Sequence, residues 1–331
     1  MAFYGWPISQ CQSLSTPLAT QLHSGIRVLD VRLAVKDNKL IAYHGISPQK
    51  ASFQEILQTV HEFLTAPLTQ RETLVMSIKQ EDFAVTPPPE FSRLVHKEIT
   101  DGPGGMGMWV LDNRIPTLGA VRGKVVLLSR FGGDGAGWDR ALEGLGIHPS
   151  TWPDNARDGF EWMCKDTRVR TQDWFGFLKI SCSHGALTSL RYNISTFLSI
   201  PEKFTASTSL LLASPDTAPT APPTLAITYL SASSFPLALP QTVAQGMGFP
   251  KLGMGFEGVN DLVAGWLMRL LGDTPPTTDT NAGDTGGTNG REPRIRGWVM
   301  MDFYSYPNDA LAPLLVECNY RGRKVGEEGW I

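Results

Sequence analysis

Short apolar runs alternate along the chain with amphipathic stretches, and this alternation predicts a sheet covered by helices. The runs that read as strands are GIRVLDVRL, KLIAYHG, TLVMSIKQE, GKVVLLSRF, TLAITYLSAS and RGWVMMDFY. Between the second and third runs, residues 52–66 repeat apolar side chains at spacings of three, four and seven, which predicts a helix with Ser52 as its N-cap. Strands that are apolar on both faces and alternate with helices indicate a parallel sheet.

Most of these predicted strands carry an ionisable residue near the carboxyl end, on the face that alternation assigns to the interior. The residues are Asp30, Arg32, His44, Lys79, Arg130 and Asp302. In a parallel β/α barrel the carboxyl ends of the strands meet at one mouth, where active sites form. Such a mixture of cations, carboxylates and a histidine suits an anionic ligand such as a phosphate. For any single residue, the alternative that it only caps a strand or pairs with a loop stays open.

The length of 331 residues allows one large α/β barrel or two smaller domains. We expect a single barrel domain over residues 1–331, because strand-like runs resume after both of the polar stretches, 213–224 and 272–294. The second stretch contains no aliphatic residue larger than alanine and is predicted to be a disordered insertion.

Composition excludes several classes of protein. A net charge of −3 offers no basic surface for nucleic acid, so we expect no nucleic-acid partner. No apolar run reaches the roughly 18 residues of a membrane-spanning helix, and no leader pattern is visible at the start of the chain. The four cysteines are scattered without a C-x-x-C pair, which argues against a zinc site.

The stretches QLHSGIRVLDVRL and LIAYHG resemble the catalytic X region of phosphatidylinositol-specific phospholipase C, in its bacterial and fungal single-domain form. The stretches ETLVMSIKQE, RGKVVLLSRF and GWVMMDFY follow in the same order and spacing, and VRTQDWF resembles the family's inositol-holding segment. The resemblance covers roughly residues 11–316 and is most specific over 18–82. It implies a distorted (β/α)8 TIM-like barrel that is incomplete at its first strand.

The resemblance also implies an activity, the cleavage of a phosphodiester between inositol phosphate and a lipid alcohol through a cyclic inositol phosphate. His44 matches the general acid and Asp30 a carboxylate that supports it. Arg32 matches the arginine that stabilises charge on the phosphoryl oxygens. Asp302 matches the carboxylate that orients the general-base histidine.

Lys79, Arg130 and Asp173 match contacts to the inositol hydroxyls, and Phe175 falls where the family has a stacking tyrosine. Calcium-dependent members have an acidic metal ligand at the position of Arg32. An arginine there supplies fixed positive charge, so we expect no metal ion and no other cofactor.

The family's first strand ends in a segment whose histidine is the general base, and nothing in residues 1–21 resembles it. His23, His61, His96 and His148 are predicted to lie on helices or in loops away from the mouth, and His184 is the remaining candidate. Without that strand, the GIRVLDVRL strand is expected to have an unpaired edge. We interpret the chain as starting at an internal Met of a longer enzyme, and the alternative is a shortened, non-catalytic relative. A lost upstream segment would have carried any secretion signal, and in that case we expect the protein to be secreted.

Three functions are compatible with these residues. The first is a phosphodiesterase that acts on a phosphoinositide or another phosphodiester lipid and is impaired if the base is missing. The second is a module that binds inositol phosphate or an anionic headgroup without turnover, and the third is a degenerate barrel without a ligand. Transient contact of loop tryptophans with a membrane surface is compatible with the sequence, and core packing explains the same tryptophans equally well. These are Trp109, Trp138, Trp152 and Trp162.

Overall fold

The computed structural model describes residues 9–176, 199–212, 222–233, 238–272 and 295–321. The predicted disordered insertion therefore lies almost entirely outside the described residues, as does His184. No helix in the described ranges is long and apolar enough to cross a membrane.

The first six strands form one sheet, and the later strands form a second sheet and a two-stranded hairpin. In chain order they are β1 Val28–Lys36, β2 Lys39–His44, β3 Ser47–Ser52, β4 Leu74–Gln80, β5 Trp109–Val110, β6 Val125–Arg130, β7 Phe160–Cys164, β8 Thr167–Gln172, β9 Thr224–Tyr229, β10 Met247–Phe249, β11 Met254–Phe256 and β12 Trp298–Met300.

The helices connect these strands. They are α1 Leu18–His23, α2 Phe53–Thr65, α3 Pro88–Asp101, α4 over residues 199–209 of the described chain, α5 Pro240–Gln245, α6 Val259–Gly272 and α7 Leu311–Glu317. The predicted helix after the second strand is confirmed as α2. Its apolar residues are buried, and Ser52 and Glu55 form a capping box at its start.

The two larger sheets face each other across an apolar interior. One has the strand order β3-β2-β1-β4-β6-β5 and the other β12-β9-β8-β7. Strands β1, β4 and β6 run parallel, as do β8, β9 and β12. Val126 and Leu128 from the first sheet join Val169, Ile227 and Met300 from the second in one buried cluster. The fold is thus a distorted β/α barrel, and no closed cylinder forms among the described strands.

The surroundings of β1 differ from expectation in two respects. β1 pairs with β4 over Val28–Leu33 and with β2 over Leu33–Lys36, so the predicted unpaired edge is wrong for the second half of the strand. β2 also runs antiparallel to β1. His44 therefore does not sit at the end of a parallel barrel strand. It approaches the mouth because β1 extends past the mouth and β2 turns back towards it.

Residues 9–12 lie against the loop that follows β12. The amide of Phe303 donates to the carbonyl of Cys11 at 2.7 Å, and the side chain of Gln12 donates to the carbonyl of Met301 at 2.9 Å. The backbone amide of Tyr304 in turn donates to the side-chain oxygen of Gln12 at 3.1 Å. These bonds hold the start of the described chain beside the carboxyl end of β12.

The structure decides between membrane contact and core packing for three of the four tryptophans. Trp109, Trp138 and Trp162 are buried in the apolar clusters of the protein. Trp152 packs against the guanidinium of Arg130. Core packing therefore accounts for the three buried tryptophans, whereas Trp152 is only half-buried, and contact of the protein with a membrane stays a prediction.

The first turn of α6 is tied to the loop after β12 through one buried amide. The side-chain nitrogen of Asn260 donates to the carbonyls of Asp302, Phe303 and Tyr306 at 2.9, 3.0 and 3.2 Å. Because buried carbonyls need donors, this amide fixes the loop that carries Asp302.

We predict that Asn260→Asp destabilises the protein by about 3 kcal/mol or more, because it places a carboxylate against three carbonyl oxygens. Urea unfolding followed by circular dichroism measures this change. Gln241→Glu, at an exposed amide on α5, is the matched control and should change the free energy of unfolding by less than about 0.5 kcal/mol. Equal effects of the two substitutions would contradict the assigned role of Asn260.

Candidate active site

Three cations stand in one row across the first sheet. The strand register pairs Arg32 with Lys79 and Lys79 with Arg130. Two residues earlier on β1, Asp30 pairs with Ser77 of β4. Side chains alternate along a strand, so these groups share the interior face, as the sequence predicts.

Asp30 is the carboxylate on which this row converges. It accepts hydrogen bonds from Arg32 Nε at 2.9 Å and Ser77 Oγ at 3.0 Å, and its Oδ1 lies 3.5 Å from Arg130. Burial alone would raise the pKa of Asp30, but the two guanidinium groups and these hydrogen bonds hold it well below its ordinary value. Asp30 is therefore ionised and paired with Arg32, and a supporting role towards His44 stays a prediction.

Arg130 connects the two sheets. Its side chain is only 4% exposed and donates to Asp173 at 3.0 Å and to the hydroxyl of Tyr229 at 3.0 Å. The guanidinium carbon lies 4.0 Å from the ring centroid of Trp152, whose indole nitrogen also donates to Asp173 at 2.8 Å. Both terminal nitrogens of Arg130 are thus bonded to protein acceptors, while its buried Nε has no hydrogen-bond partner among the described residues. A contact from Arg130 or Asp173 to inositol stays a prediction.

Glu81 completes the network and was missed from the sequence. Its carboxylate lies 3.4 Å from Arg32 and 3.7 Å from Lys79. It follows β4 two residues after Lys79, so alternation along an extended chain could have placed it on the same face. Burial and the neighbouring Arg32 lower the pKa of Lys79.

The predicted site residues line two cavities at the mouth. One of about 150 Å³ is lined by residues that include Asp30, Arg32, His44, Phe175 and Asp302. A second of about 320 Å³ is lined by residues that include Lys79, Arg130, Asp173 and His148, so the prediction that His148 lies away from the mouth is wrong. The ion pairs from Asp30 through Arg130 to Asp173 connect the residues of the two cavities. The structure therefore brings all eight predicted residues to one end of the barrel but divides them between two spaces.

His44 is held by the segment beside β12. Its Nδ1 lies 2.9 Å from the carbonyl of Ser9, which can only accept, so Nδ1 carries a proton. Nε2 is then the atom that gains or loses a proton in any reaction. Burial and the positive charge of Arg32 lower the pKa of His44.

Cys11 lies between His44 and Asp302, a placement that the sequence did not indicate. Its Sγ is 3.3 Å from His44 Nδ1, and its side chain hydrogen-bonds that of Asp302. Burial and the carboxylate of Asp302 raise the pKa of the Cys11 thiol, so it stays neutral. Burial raises the pKa of Asp302 to about 6. Among the described residues that line this cavity, His44 is the single histidine.

The backbone of the loop that carries Asp173 and Phe175 is hydrogen-bonded by two side chains, those of Asn155 and Lys203. Asn155 Oδ1 accepts the backbone amides of Phe175 and Gly176 at 2.9 and 2.7 Å. The ammonium of Lys203 on α4, which is fully buried, donates to the carbonyl of Trp174 at 2.5 Å. These bonds set the position from which the Phe175 ring lines the first cavity.

No group of three or more His, Cys, Asp or Glu side chains within the described ranges is arranged to hold a metal ion. The expectation of metal independence stays a prediction.

Comparison with known proteins connects this geometry to a family. Residues 8–87 match the family model "Phosphatidylinositol-specific phospholipase C, X domain". The X-domain resemblance is confirmed. Asp30, Arg32, His44 and Lys79 lie inside the matched X-domain residues.

Two curated relatives align with part of the chain. A 1-phosphatidylinositol phosphodiesterase of Listeria monocytogenes is 35% identical over 136 residues, which is 37% of each chain. A protein of the same name from Staphylococcus aureus is 30% identical over 142 residues, 41% of this chain and 43% of that one. The chain thus spans less than half the length of either curated relative in these alignments.

Solved structures share the fold over most of the chain. A mutant phosphatidylinositol-specific phospholipase C from Staphylococcus aureus superposes with a TM-score of 0.61 at 19% identity, covering 94% of this chain and 86% of that one. The Listeria monocytogenes enzyme superposes with a TM-score of 0.51 at 20% identity, covering 95% and 85%. The distorted TIM-barrel architecture predicted from the sequence is therefore confirmed.

The two carboxylates of the first cavity should have opposite effects on stability. The pKa of Asp302 is raised in the folded state, so its ionisation opposes folding above about pH 6. The pKa of Asp30 is lowered, so its ionisation favours folding above the ordinary carboxyl pKa and is lost at strongly acidic pH.

We predict that at about pH 7.5 Asp302→Asn stabilises the protein by about 1–3 kcal/mol, whereas Asp30→Asn destabilises it by a similar amount. Thermal unfolding of both variants and the wild type measures the difference. The advantage of Asp302→Asn should shrink as the pH is lowered to about 5, where the wild-type group becomes protonated. A pH-independent difference would contradict the raised pKa of Asp302.

Proposed function

We propose that the protein cleaves phosphatidylinositol, or a closely related inositol phosphodiester, by intramolecular attack of an inositol hydroxyl on phosphorus. The products would be a cyclic inositol phosphate and a lipid alcohol. The observation that carries the proposal is the placement of Arg32, His44 and Asp302 around one cavity of about 150 Å³ at the barrel mouth. The curated relatives bear the name 1-phosphatidylinositol phosphodiesterase, which supports this substrate class.

Arg32 is suited to the phosphoryl group. Its pKa is raised well above the ordinary value, because the attraction of Asp30 and Glu81 outweighs burial, so it is always charged. Its Nε and one terminal nitrogen contact these carboxylates, while 22% of the side chain remains exposed. A guanidinium fixed in this way stabilises charge on the phosphoryl oxygens without reorganising during the reaction.

His44 and Asp302 divide the proton transfers. His44 Nδ1 donates its proton to the carbonyl of Ser9, so Nε2 is the nitrogen that faces the reaction. In the protonated ring, Nε2 donates its proton to the departing lipid oxygen. Asp302 is the proton acceptor that the described cavity offers, since its pKa of about 6 makes it a better base than an ordinary carboxylate. This differs from the predicted role of orienting a histidine.

A second candidate function is binding of the inositol phosphate headgroup without turnover. It is favoured by one observation, that the Cys11 thiol hydrogen-bonds Asp302 and lies beside His44, between the two groups that would transfer protons. A neutral thiol with a raised pKa is a poor base. In this case Arg32 and Lys79 would still attract the phosphate, and no product would form.

The partner that we propose is a lipid presented at a membrane surface, contacted transiently during catalysis. The absence of nucleic-acid binding stays a prediction that rests on net charge.

We predict that vesicles containing phosphatidylinositol yield a cyclic inositol phosphate, which ³¹P NMR distinguishes from the acyclic product. His44→Ala should lower the rate by about 10²- to 10⁴-fold because the leaving oxygen loses its proton donor. His23→Ala is the matched control, since this exposed residue lies at the end of α1 outside the cavity, and it should retain the wild-type rate.

Activity that survives His44→Ala would remove His44 from its role. Absence of product from the wild type, together with broadening of the ³¹P signal of added myo-inositol 1-phosphate, would support the binding function instead. Addition of a chelator should leave the rate unchanged if the site is metal-independent.

The pH dependence should be a narrow bell with a mildly acidic maximum. The rate should rise through about pH 6 as Asp302 ionises. It should fall at higher pH as His44, whose pKa is lowered, loses its proton. Initial rates measured from about pH 4.5 to 8 test this, and a rate that is flat or still rising at about pH 8 would exclude this pair of groups.

A further inference from the structure

One buried lysine behind the candidate active site takes no part in the proton transfers. Lys203 lies on α4 and is fully buried. Its ammonium donates to the carbonyl of Trp174 at 2.5 Å. Among the described residues no carboxylate forms an ion pair with it, and Asp173 and Asp302 attract it only from a greater distance.

A buried ammonium in such surroundings opposes folding. Removing a charge from water costs free energy that a neutral carbonyl does not return. Burial accordingly lowers the pKa of Lys203 to about 7, although Asp173 and Asp302 act in the opposite direction. A methionine of similar length would fill the same space without this cost. Stability therefore does not explain why a lysine stands at this position.

The carbonyl that Lys203 holds belongs to the peptide unit between the walls of the two cavities. Trp174 stands between Asp173, which lines the second cavity, and Phe175, which lines the first. The N–H of the same peptide unit, that of Phe175, donates to Asn155 Oδ1 at 2.9 Å. The unit is thus held at both polar ends, by Lys203 at its oxygen and by Asn155 at its nitrogen.

The helix that carries Lys203 is itself fixed to the second sheet. Ser207, one turn further along α4, donates to the carbonyl of Tyr229 on β9 at 3.1 Å. Thr228 donates to the carbonyl of Ser207 at 3.2 Å, and all three of these residues are buried. The lysine side chain therefore extends from a fixed helix to the loop that walls the site.

We propose that Lys203 is a positioning residue for the inositol phosphate, which sets Asp173 and Phe175 in place through the Trp174 carbonyl. This inference rests on the proposed function and adds to it a residue that touches neither the substrate nor the reacting atoms. A charged donor binds a carbonyl more strongly than a neutral one. The chain thus keeps a group that lowers its stability, because that group holds the site in its binding geometry before the ligand arrives.

The variant Lys203→Met should separate stability from binding. At about pH 6, where the ammonium is charged, the thermal midpoint should rise by about 2 °C or more, because the buried charge is gone. The Kd for myo-inositol 1-phosphate, measured by isothermal titration, should rise by about tenfold because the loop is no longer held in place. Lys97→Met is the matched control, since Lys97 is an exposed lysine near the end of α3, and it should change neither quantity.

Steady-state kinetics separate positioning from catalysis. With a short-chain phosphatidylinositol below its micelle concentration, Lys203→Met should raise KM by about tenfold and leave kcat within about twofold of the wild type. The reason is that His44 and Asp302, the groups that transfer protons, are held by the carbonyl of Ser9 and by the loop bonded to Asn260.

Hydrogen–deuterium exchange tests the structural step without a ligand. The amides of Phe175 and Gly176, which donate to Asn155, should exchange about tenfold faster in Lys203→Met than in the wild type or Lys97→Met. If the wild type neither binds nor cleaves the inositol compounds, the proposed function fails. The exchange rates would then still decide whether Lys203 fixes the loop.

Unchanged affinity, KM and exchange in Lys203→Met would overturn the proposal. A lower thermal midpoint together with weaker binding would also overturn it, because Lys203 would then only support the fold. A fall in kcat at constant KM would contradict the positioning role as well, since it would place Lys203 in the chemical step.

Discussion

The buried guanidinium of Arg130 is the interaction on which the site geometry depends. Arg130 belongs to β6 of the first sheet, and there it forms an ion pair with Asp30 of β1. It also donates to Tyr229 of β9 and to Asp173, which follows β8, and both of these strands belong to the second sheet. A buried cation is costly unless carboxylates and hydrogen bonds surround it, and here an aromatic ring also covers one face. The described strands of the two sheets do not pair with each other, so these side-chain bonds fix the position of one sheet relative to the other at the mouth.

The opposite side of the mouth is organised by a segment that is not a strand. Residues 9–12 bond to the loop after β12 and place Ser9 and Cys11 against His44. Arg32 and Asp30 are therefore held by ion pairs inside the sheet, whereas His44 and Asp302 depend on this segment. The two halves of the site have different environments, and the environments move the pKa values of their two carboxylates in opposite directions. The site thus combines a fixed row of charged side chains with a carboxylate whose pKa burial raises to about 6, and such a pair of environments suits acid–base chemistry.

Much of the barrel could be predicted from the chain because local patterns and packing agree. The apolar spacing of α2, the capping Ser52 and the inward faces of β1, β4 and β6 all follow from periodicity, and the structure confirms each of them. The direction of β2 was assigned wrongly although the sequence carried the signal, because a connection as short as Asp37–Asn38 joins antiparallel strands, whereas parallel strands need a long crossover. The partners of Arg130, in contrast, left no local signal. Tyr229 and Trp152 meet it through tertiary packing between segments far apart in the chain, and no local spacing records such contacts.

The central claim is that Arg32 and its neighbours bind a phosphoryl group at the mouth. Isothermal titration of myo-inositol 1-phosphate into wild type and Arg32→Gln tests it most directly. Arg122→Gln serves as control, since Arg122 is exposed ahead of β6, at the end of the strand opposite the mouth, where it donates to the carbonyl of Arg71. The affinity should fall by about 10²-fold for Arg32→Gln and stay unchanged for Arg122→Gln. Equal affinity in all three proteins would contradict the account.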